Sequence, residues 1–405
     1  SGQGIVALIM LIPAILSKFI SLGTQASASY FINSGRYKVE QVSSNVIITS
    51  VVVSILVGAG VVLFYNPSYL QGYYFGLSGR YFISLFIAIY LVLNFVRVNM
   101  IGLFYSLEKY SLSNKFNLIN EVVPVTFFLL LFVTKIFSVE WVFVGYLLTS
   151  LIGLVLIIID FRKHKIPFKL SFDLILFKKF LVYGLPVYYN SVAQTLSQRI
   201  SLFFIAGYLD MASVGYFSIA YSTAERLNEL SKPIVVTHFP RAIQISSQKD
   251  KSQILSFTSS ILAKLSALYA VCLVPFVILI AIFIPIFYSH SYQPSVALAI
   301  ILSFGIVALG RTKILNNMYA AAGRQLTNAF ILTTSLAVNT LLILAFLKLK
   351  MGLSGVALAS VISYTLTLFL QIFVARKRFE LKIPYIAFDF KGLFGLAKKL
   401  VKKNV

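Results

Sequence analysis

The chain has 405 residues, of which 59% are hydrophobic and 12% are charged, and its formal net charge is +23 at pH 7. Apolar runs of about 20 residues recur throughout, the length that a helix needs to span a hydrocarbon core of roughly 30 Å, and a soluble α/β protein would not contain so many. The single cysteine, Cys272, excludes an intramolecular disulfide, and three histidines that stand far apart in the sequence argue against a metal site.

Apolar runs predict eleven membrane-spanning helices along the chain. In chain order they cover residues 4–32, 45–65, 81–105, 117–137, 139–160, 180–208, 211–239, 254–288, 296–321, 326–347 and 353–375. Helices are the expected form because backbone groups inside a bilayer must be satisfied within their own segment. The predicted fold class is therefore an all-α integral membrane protein, for which we expect no cofactor.

The basic residues fall mainly in alternate loops. If residues 33–45 form a cytoplasmic loop, the cytoplasmic connections and the tail hold 23 Lys and Arg residues, whereas the opposite loops hold 4. This asymmetry follows the positive-inside rule and places the C-terminus in the cytoplasm. The basic charge is then a topology signal rather than a sign of nucleic-acid binding. Because eleven spans would leave residue 1 outside the cell, we expect that a first span is missing and that the full protein has twelve.

The longest cytoplasmic connection separates two halves that resemble each other weakly. "GYLLTSLIG" at 145–153 resembles "GVALASVIS" at 355–363, and other short matches have nearly the same offset. A duplicated six-span unit predicts two parallel six-helix bundles around a central cavity. The predicted organisation is an N-terminal bundle at 1–160, an amphipathic cytoplasmic linker at 161–179, a C-terminal bundle at 180–375 and a basic cytoplasmic tail at 376–405.

The linker and the tail share one pattern. "FKLSFDLILFKKF" at 168–180 has apolar residues at helical spacing with lysines between them, and "DFKGLFGLAKKLVKK" at 389–403 has the same character. The pattern predicts amphipathic helices on the inner membrane surface, held by the anionic lipid of that leaflet.

Polar side chains interrupt several of the predicted spans. On a helix over 183–207, advancing 100° per residue, they share one broad side. An arginine near the bilayer centre costs about 2.5–3.5 kcal/mol on the insertion scale unless it faces water or a partner. Eight cations lie within the spans against three anions, Glu121, Glu225 and Glu229. We therefore predict a cavity of net positive charge that attracts an anion. Its predicted lining is Lys18, Arg97, Asn190, Gln194, Gln198, Arg199 and Arg311.

Some of these charges have simpler explanations that the residues alone leave open. Lys232, Lys264 and Lys313 have long stems that could reach the interface. Arg97 could form a structural ion pair with Glu121, and Arg226 could pair with a nearby glutamate. The sequence has no phosphate-cradling glycine loop and no zinc motif, and its outer loops are short. Transport is therefore favoured over enzyme chemistry.

Four segments carry a resemblance to a known family. "GLPVYYNSVAQTLSQRISLFFIAGYLDMASVGYFSIAYSTAERL" at 184–227 resembles the seventh and eighth spans of bacterial Wzx-type polysaccharide flippases. These proteins form a branch of the multidrug/oligosaccharidyl-lipid/polysaccharide exporter superfamily. "SGQGIVALIML" at 1–11 looks like the turn after the family's first span, and "AAGRQLTNAF" at 321–330 and "GLSGVALASVISY" at 352–364 match its later spans. The resemblance covers essentially the whole chain.

This resemblance implies a flippase that moves a polyprenyl-diphosphate-linked oligosaccharide from the inner to the outer leaflet of a bacterial or archaeal cytoplasmic membrane, by alternating access. The diphosphate needs cations and the sugars need amide and hydroxyl partners. Many relatives have an aspartate two residues after the arginine of the seventh span, where this chain has Ser201. Ion coupling would therefore fall to Glu225 or Glu229.

Two other functions stay open from the sequence. One is a multidrug or small-cation exporter of the same superfamily, which would have an acidic cavity. The other is a membrane-embedded polysaccharide polymerase or ligase. For the flippase, the expected partners are the lipid-linked glycan, membrane lipid, and the polymerase and glycosyltransferases of the pathway, and we expect a monomer.

Overall fold

The computed structural model describes residues 12–13, 16–17, 20–64, 77–135, 139–247, 251–288, 292–379, 389–390 and 392. Regular secondary structure in these residues is entirely helical. The α-helices are α1 (Thr24–Asn33), α2 (Val39–Phe64), α3 (Leu77–Ser106), α4 (Tyr110–Val133), α5 (Val139–Lys163), α6 (Leu174–Tyr208), α7 (Met211–Glu225), α8 (Lys232–Ser247), α9 (Lys251–Phe287), α10 (Pro294–Ala321), α11 (Gln325–Lys348) and α12 (Gly352–Phe379). A 3₁₀ turn, Arg226–Leu230, separates α7 from α8.

Eight of the described helices are long and apolar enough to cross a membrane, namely α2, α3, α4, α5, α9, α10, α11 and α12. They match eight of the predicted spans, and the prediction of a multi-pass, all-α membrane protein is confirmed. Two further predicted spans, 180–208 and 211–239, coincide with most of α6 and with α7, the 3₁₀ turn and the first half of α8. The first predicted span, 4–32, is described in part, and it is not one continuous helix: a turn at Leu22 and Gly23, both with positive φ, precedes α1.

The chain divides into two compact units, Ser1–Leu185 and Pro186–Val405. In the first unit, α3 is the central helix and packs against α1, α2, α4 and α5. Its N-terminal half joins the start of α5 in an apolar core that includes Phe86, Ile87 and Phe143. Helix α4 is mostly unburied along its length, as expected for a peripheral helix that faces lipid.

The second unit is built around α10. This helix packs against α7, α8, α9, α11 and α12, and Leu302, Ile306, Ile314 and Leu315 along it are buried. Small residues allow the close packing: a Cβ added at Gly305 would lie 3.1 Å from the Cα of Val361 on α12. Helix α9 is peripheral, like α4.

The two units meet in the sequence inside α6, between Leu185 and Pro186. The first turns of α6 belong to the first unit because they pack on α1. Phe180 stacks on Phe31 with ring centroids 5.3 Å apart, and the hydroxyl of Ser27 donates to the carbonyl oxygen of Phe180 at 2.8 Å.

Two glycines bring α1 and α6 into backbone contact. Gly23 precedes α1 with φ +72°, and a Cβ added there would lie 2.2 Å from the carbonyl oxygen of Gly184. A Cβ on Gly184 would lie 2.6 Å from the carbonyl oxygen of Leu22. Any larger residue at either position must push the two helices apart, so the glycine of the "GLP" sequence has a packing role.

The linker differs from its prediction. The sequence predicts one amphipathic helix over 168–180, but helix begins only at Leu174, where the Asp173 carboxylate accepts from the amides of Ile175 and Leu176. Residues 166–173, which we call the strap, are not helical. Side chains at the start of α2 bind the strap's backbone and so replace the hydrogen bonds that a helix would make. The amphipathic tail falls largely outside the described residues.

Candidate functional site

Arg199 of α6 lies beside a carboxylate and an aromatic ring. Its Nη2 is 3.3 Å from Oε2 of Glu225 at the end of α7, and its guanidinium carbon lies 5.0 Å from the ring centroid of Tyr221, one turn earlier. The side chains of Arg199 and Glu225 are 46% and 34% exposed, whereas Tyr221 is buried. The arginine is therefore held on an aromatic face, with its charge accessible and only partly neutralised.

The span after Arg199 is broken where its charges cluster. Helix α7 ends at Glu225, the 3₁₀ turn follows, and α8 begins at Lys232. Leu227 and Asn228 anchor the turn in the core with 2% exposure each. Glu229 pairs with Lys232 at 2.6 Å. Discontinuous spans of this kind are typical of transporter binding sites, because the freed helix ends face polar ligands.

The sequence analysis missed this break, although one signal was present. Pro233 is the second residue of α8. A proline lacks the backbone donor that a helix interior requires, but it is well tolerated in the first turn of a helix. A proline directly after a charged stretch therefore indicates a new helix start.

A lysine from α10 completes the group. Lys313 is half-buried and lies within electrostatic range of Glu225, Glu229 and Lys232, without an ion-pair contact to them among the described residues. We call the set of Arg199, Glu225, Glu229, Lys232 and Lys313 the charged cluster. It contains three cations and two carboxylates and is therefore net positive. The cluster has the composition expected of an anion site, and Lys313 is a member that the predicted lining did not include.

Arg311 does not join this cluster. It precedes Lys313 by two residues, so the two side chains leave α10 in different directions. Arg311 lies near Tyr269 of α9, and its buried Nε has no hydrogen-bond partner among the described residues. The described ion pairs are Lys115–Asp160, Arg199–Glu225 and Lys232–Glu229, so Arg311 and Arg226 pair with no described carboxylate.

The predicted amide residues of α6 mainly join helices. Asn190 is 6% exposed, and its Nδ2 donates to the carbonyl oxygen of Gln325 at 3.1 Å. Gln194 donates to Oγ1 of Thr312 at 3.4 Å and accepts from Nδ2 of Asn316 at 3.3 Å. Gln198 is half-buried and makes no hydrogen bond to a described residue. Of the three, Gln198 has the most free donor and acceptor capacity for a ligand.

Two residues that the sequence analysis did not select extend this network. Gln371 of α12 donates to Oδ1 of Asn316 and to Oδ1 of Asn328, both at 2.7 Å, and Asn328 of α11 donates to Asn316 at 2.9 Å. Asn328 and Gln371 are fully buried. We call Gln194, Asn316, Asn328 and Gln371 the amide cluster. It ties four helices together inside the second unit, and buried amides of this kind need such partners.

Ser201 is buried at the position where the family resemblance led us to expect an aspartate. It is 1% exposed, and its hydroxyl lies 3.2 Å from that of Ser360 on α12. A carboxylate would be strongly desolvated there, with one hydroxyl as its neighbour. A serine suits this packing because two hydroxyls can satisfy each other.

The first unit contains a buried arginine with neutral partners. Arg97 of α3 is 7% exposed, its Nη1 donates to Oδ1 of Asn120 at 2.5 Å, and its Nη2 donates to Oδ1 of Asn94 at 2.7 Å. Gly153 of α5 closes over it, since a Cβ there would lie 3.0 Å from Cδ of Arg97. Glu121 is exposed and does not pair with Arg97. The ion pair left open by the sequence is therefore absent, and no described carboxylate neutralises Arg97. Lys18 lies outside the described residues.

The family model described as "Polysaccharide biosynthesis protein" matches residues 1–246. No curated protein sequence matches the chain. Among solved structures, the chain is similar to MATE in the straight conformation, with 12% identity over 94% of this chain and 87% of the other and a TM-score of 0.77. It is also similar to the MATE transporter ClbM in complex with Rb⁺, with 16% identity over 92% and 87% and a TM-score of 0.75.

A third similar structure comes from Pyrococcus furiosus. It is described as a MOP superfamily transporter whose binding pocket of reverse polarity suggests a different function. It shares 13% identity over 94% of this chain and 87% of its own, with a TM-score of 0.72. At these identities the similarity establishes a shared fold.

Proposed function

Because the chain belongs to the polysaccharide biosynthesis protein family, we propose that it is a flippase for a polyprenyl-diphosphate-linked oligosaccharide. It would move this lipid from the inner to the outer leaflet of the cytoplasmic membrane, by alternating access and without covalent chemistry. The observation that carries the proposal is Arg97, a buried cation whose described partners are neutral amides.

The amide partners of Arg97 accept hydrogen bonds from its two terminal nitrogens, but its buried Nε has no described partner and its charge is not neutralised. Burying a guanidinium costs several kcal/mol, at least about 2.5–3.5 on the insertion scale, so a retained and unneutralised one favours an anionic ligand. A diphosphate carries that charge and accepts several hydrogen bonds. A cationic drug would instead be repelled.

The charged cluster supports the same substrate. A phosphate approaching Arg199 meets an accessible guanidinium that is already oriented on the ring of Tyr221. Lys313 of α10 lies within electrostatic range of Glu225 and Glu229, the two carboxylates of the charged cluster. Gln198, one residue before Arg199, is free to bind a sugar hydroxyl. The reverse polarity described for the Pyrococcus furiosus transporter gives a precedent, within this fold, for a function other than drug export.

For ion coupling we propose Glu225 in preference to Glu229. Glu225 shares Arg199 with the proposed phosphate position, so its charge and ligand binding influence each other. Glu229 is more exposed than Glu225 and pairs with Lys232, three residues later in the chain. An effect of a coupling ion on the ligand requires such a shared group.

The test uses purified protein in vesicles with a fluorescent prenyl-diphosphate disaccharide. We expect wild-type protein to flip this lipid and to leave ethidium, a cationic drug probe, untransported. Arg97→Gln and Arg199→Ala should each abolish flipping, whereas Lys115→Ala, which breaks the pair with Asp160 in the first unit, should retain it.

Other outcomes would contradict the proposal. Ethidium transport without diphosphate-lipid flipping would identify a multidrug exporter. Elongation of the glycan by the purified protein alone would identify a polymerase. Equal flipping by wild type and Arg199→Ala would remove Arg199 from the site.

A further inference from the structure

The strap exposes an unusual combination of groups on the surface of the first unit. Three of its large apolar side chains are uncovered, namely Phe168 at 45% exposure, Leu170 at 84% and Phe172 at 47%, whereas Ile166 at its start is buried. Lys165, directly before the strap, and Lys169, within it, are exposed as well. The exposed apolar surface continues along α6 through Ile175 at 68% and Val182 at 75%, accompanied by exposed lysines at 178 and 179.

The strap is held in place by α2. Ser43 donates to the carbonyl oxygen of Pro167 at 2.8 Å, the amide of Lys169 donates to Oγ of Ser44 at 3.0 Å, and the amide of Asp173 donates to Oδ1 of Asn45 at 3.0 Å. Ser43, Ser44 and Asn45 are themselves fully buried. The strap is therefore a fixed part of the first unit, and its apolar side chains remain exposed despite that anchoring.

The backbone shows how deep the strap can lie. The amides of Phe168, Leu170 and Phe172 make no hydrogen bond to any described residue. Unsatisfied amides are not tolerated in hydrocarbon, which excludes the bilayer core. Exposed phenylalanine and leucine side chains, in turn, disfavour bulk water. Hydrated headgroups with acyl chains directly below satisfy both conditions.

We propose that the strap and the first turns of α6 form a binding surface for anionic phospholipid. The apolar side chains enter the upper acyl region, and the lysines at 165, 169 and 178 bind phosphate and glycerol headgroups, whereas Lys179 donates to the hydroxyl of Tyr37 at 2.6 Å. Charge complementarity selects this occupant over a zwitterionic lipid, because each lysine at the surface of an anionic leaflet attracts its lipids. The surface lies wholly in the first unit and is separate from Arg97 and the charged cluster.

The experiment places one tryptophan on the surface. In a Trp141→Phe background, Leu170→Trp is reconstituted into vesicles of phosphatidylcholine with a minor fraction of phosphatidylglycerol. Bromine is placed on the acyl chains of one lipid or the other. We expect brominated phosphatidylglycerol to quench the fluorescence as if enriched about fivefold over its mole fraction, the factor that one well-placed lysine supplies.

Two variants separate lipid contact from anionic preference. Val125→Trp on the lipid-facing helix α4, at a site 57% exposed, should be quenched by each lipid in proportion to its mole fraction. In the Leu170→Trp protein, the triple change Lys165→Gln, Lys169→Gln and Lys178→Gln should remove the enrichment and keep the acyl-chain quenching. The backbone bond of Lys169 to Ser44 does not depend on its side chain.

Two results would overturn the proposal. Quenching of residue 170 by aqueous acrylamide but not by bromolipid would mean that the surface faces water, a soluble partner or a second copy of the chain. Equal enrichment of both lipids would mean ordinary lipid contact. Native mass spectrometry of the wild type, with retained phosphatidylglycerol compared against phosphatidylcholine, gives the same discrimination without a tryptophan variant.

Discussion

Replacing Glu225 by glutamine should strengthen binding of a diphosphate lipid. The carboxylate competes with the ligand for Arg199, which it meets at 3.3 Å. Since the two side chains are 46% and 34% exposed, solvent screens the pair, and exposed pairs contribute about 0.2–1 kcal/mol. Glu225→Gln should therefore change the free energy of unfolding by no more than about 1 kcal/mol. Without the competing carboxylate, the binding free energy of the ligand should become more favourable by up to the same amount, which corresponds to a decrease in Kd of at most about fivefold.

The assay is a titration of purified protein with farnesyl diphosphate, followed by microscale thermophoresis. Glu229→Gln is the matched control, because it also removes one carboxylate from the charged cluster but from a pair with Lys232 that does not involve Arg199. We expect the control to tighten binding less than Glu225→Gln does. Weaker binding by Glu225→Gln at unchanged thermal stability, or equal tightening by both variants, would refute the competition for Arg199.

Three further predictions concern helix packing, the buried amides and a helix cap. Gly184→Ala places a Cβ 2.6 Å from the carbonyl oxygen of Leu22 and should lower the free energy of unfolding by about 1–3 kcal/mol, measured by a thermal melt in detergent. Gly207→Ala in the same helix is its control: the added Cβ meets nothing within 4 Å, so this variant should be neutral or stabilising. Gln371→Leu leaves Oδ1 of Asn328 without its donor and should cost about 1–3 kcal/mol in that melt. The Asp210 carboxylate caps the start of α7, and hydrogen bonds from Ser213 lower its pKa. The stabilisation of this helix start should therefore be fully present above the ordinary aspartate pKa, and it should be lost as the pH falls through the lowered pKa of Asp210. In Asp210→Ala, hydrogen exchange at the start of α7 should be faster at neutral pH and lose this pH dependence.

Most of the fold could be predicted because a bilayer imposes a simple rule. A long apolar segment must be helical, so hydropathy alone located the eight spans that the structure confirms. Hydropathy does not reveal the break between α7 and α8, whose sequence signal is Pro233 and whose turn is held by the burial of Leu227 and Asn228. The strap was predicted as helix because its apolar spacing suits one. Spacing cannot reveal that Ser44 and Asn45, more than 120 residues earlier, offer its backbone other partners.

The candidate site was predictable in type but not in pairing. The cost of burying charge singled out Arg97 and Arg199, and the structure gives both a polar environment. Which groups meet depends on helix rotation, which the sequence leaves free within wide limits. Lys313 rather than Arg311 therefore lies near Glu225 and Glu229. For the same reason the amide cluster was found only in part, since Gln371 stands in a span otherwise typical of a lipid-facing helix.

The two arginines differ in a way that suits different steps of transport. Arg97 is enclosed and bound by neutral amides, so neither solvent nor a carboxylate can cancel its charge, and it contributes a constant attraction for anions. Arg199 is accessible and shares its charge with Glu225, so its affinity for an anion depends on whether that carboxylate is ionised and in place. Under the proposed function, a carrier must bind a diphosphate and then release it, and Arg199 is the arginine whose affinity for the diphosphate can change, because Glu225 competes for its charge.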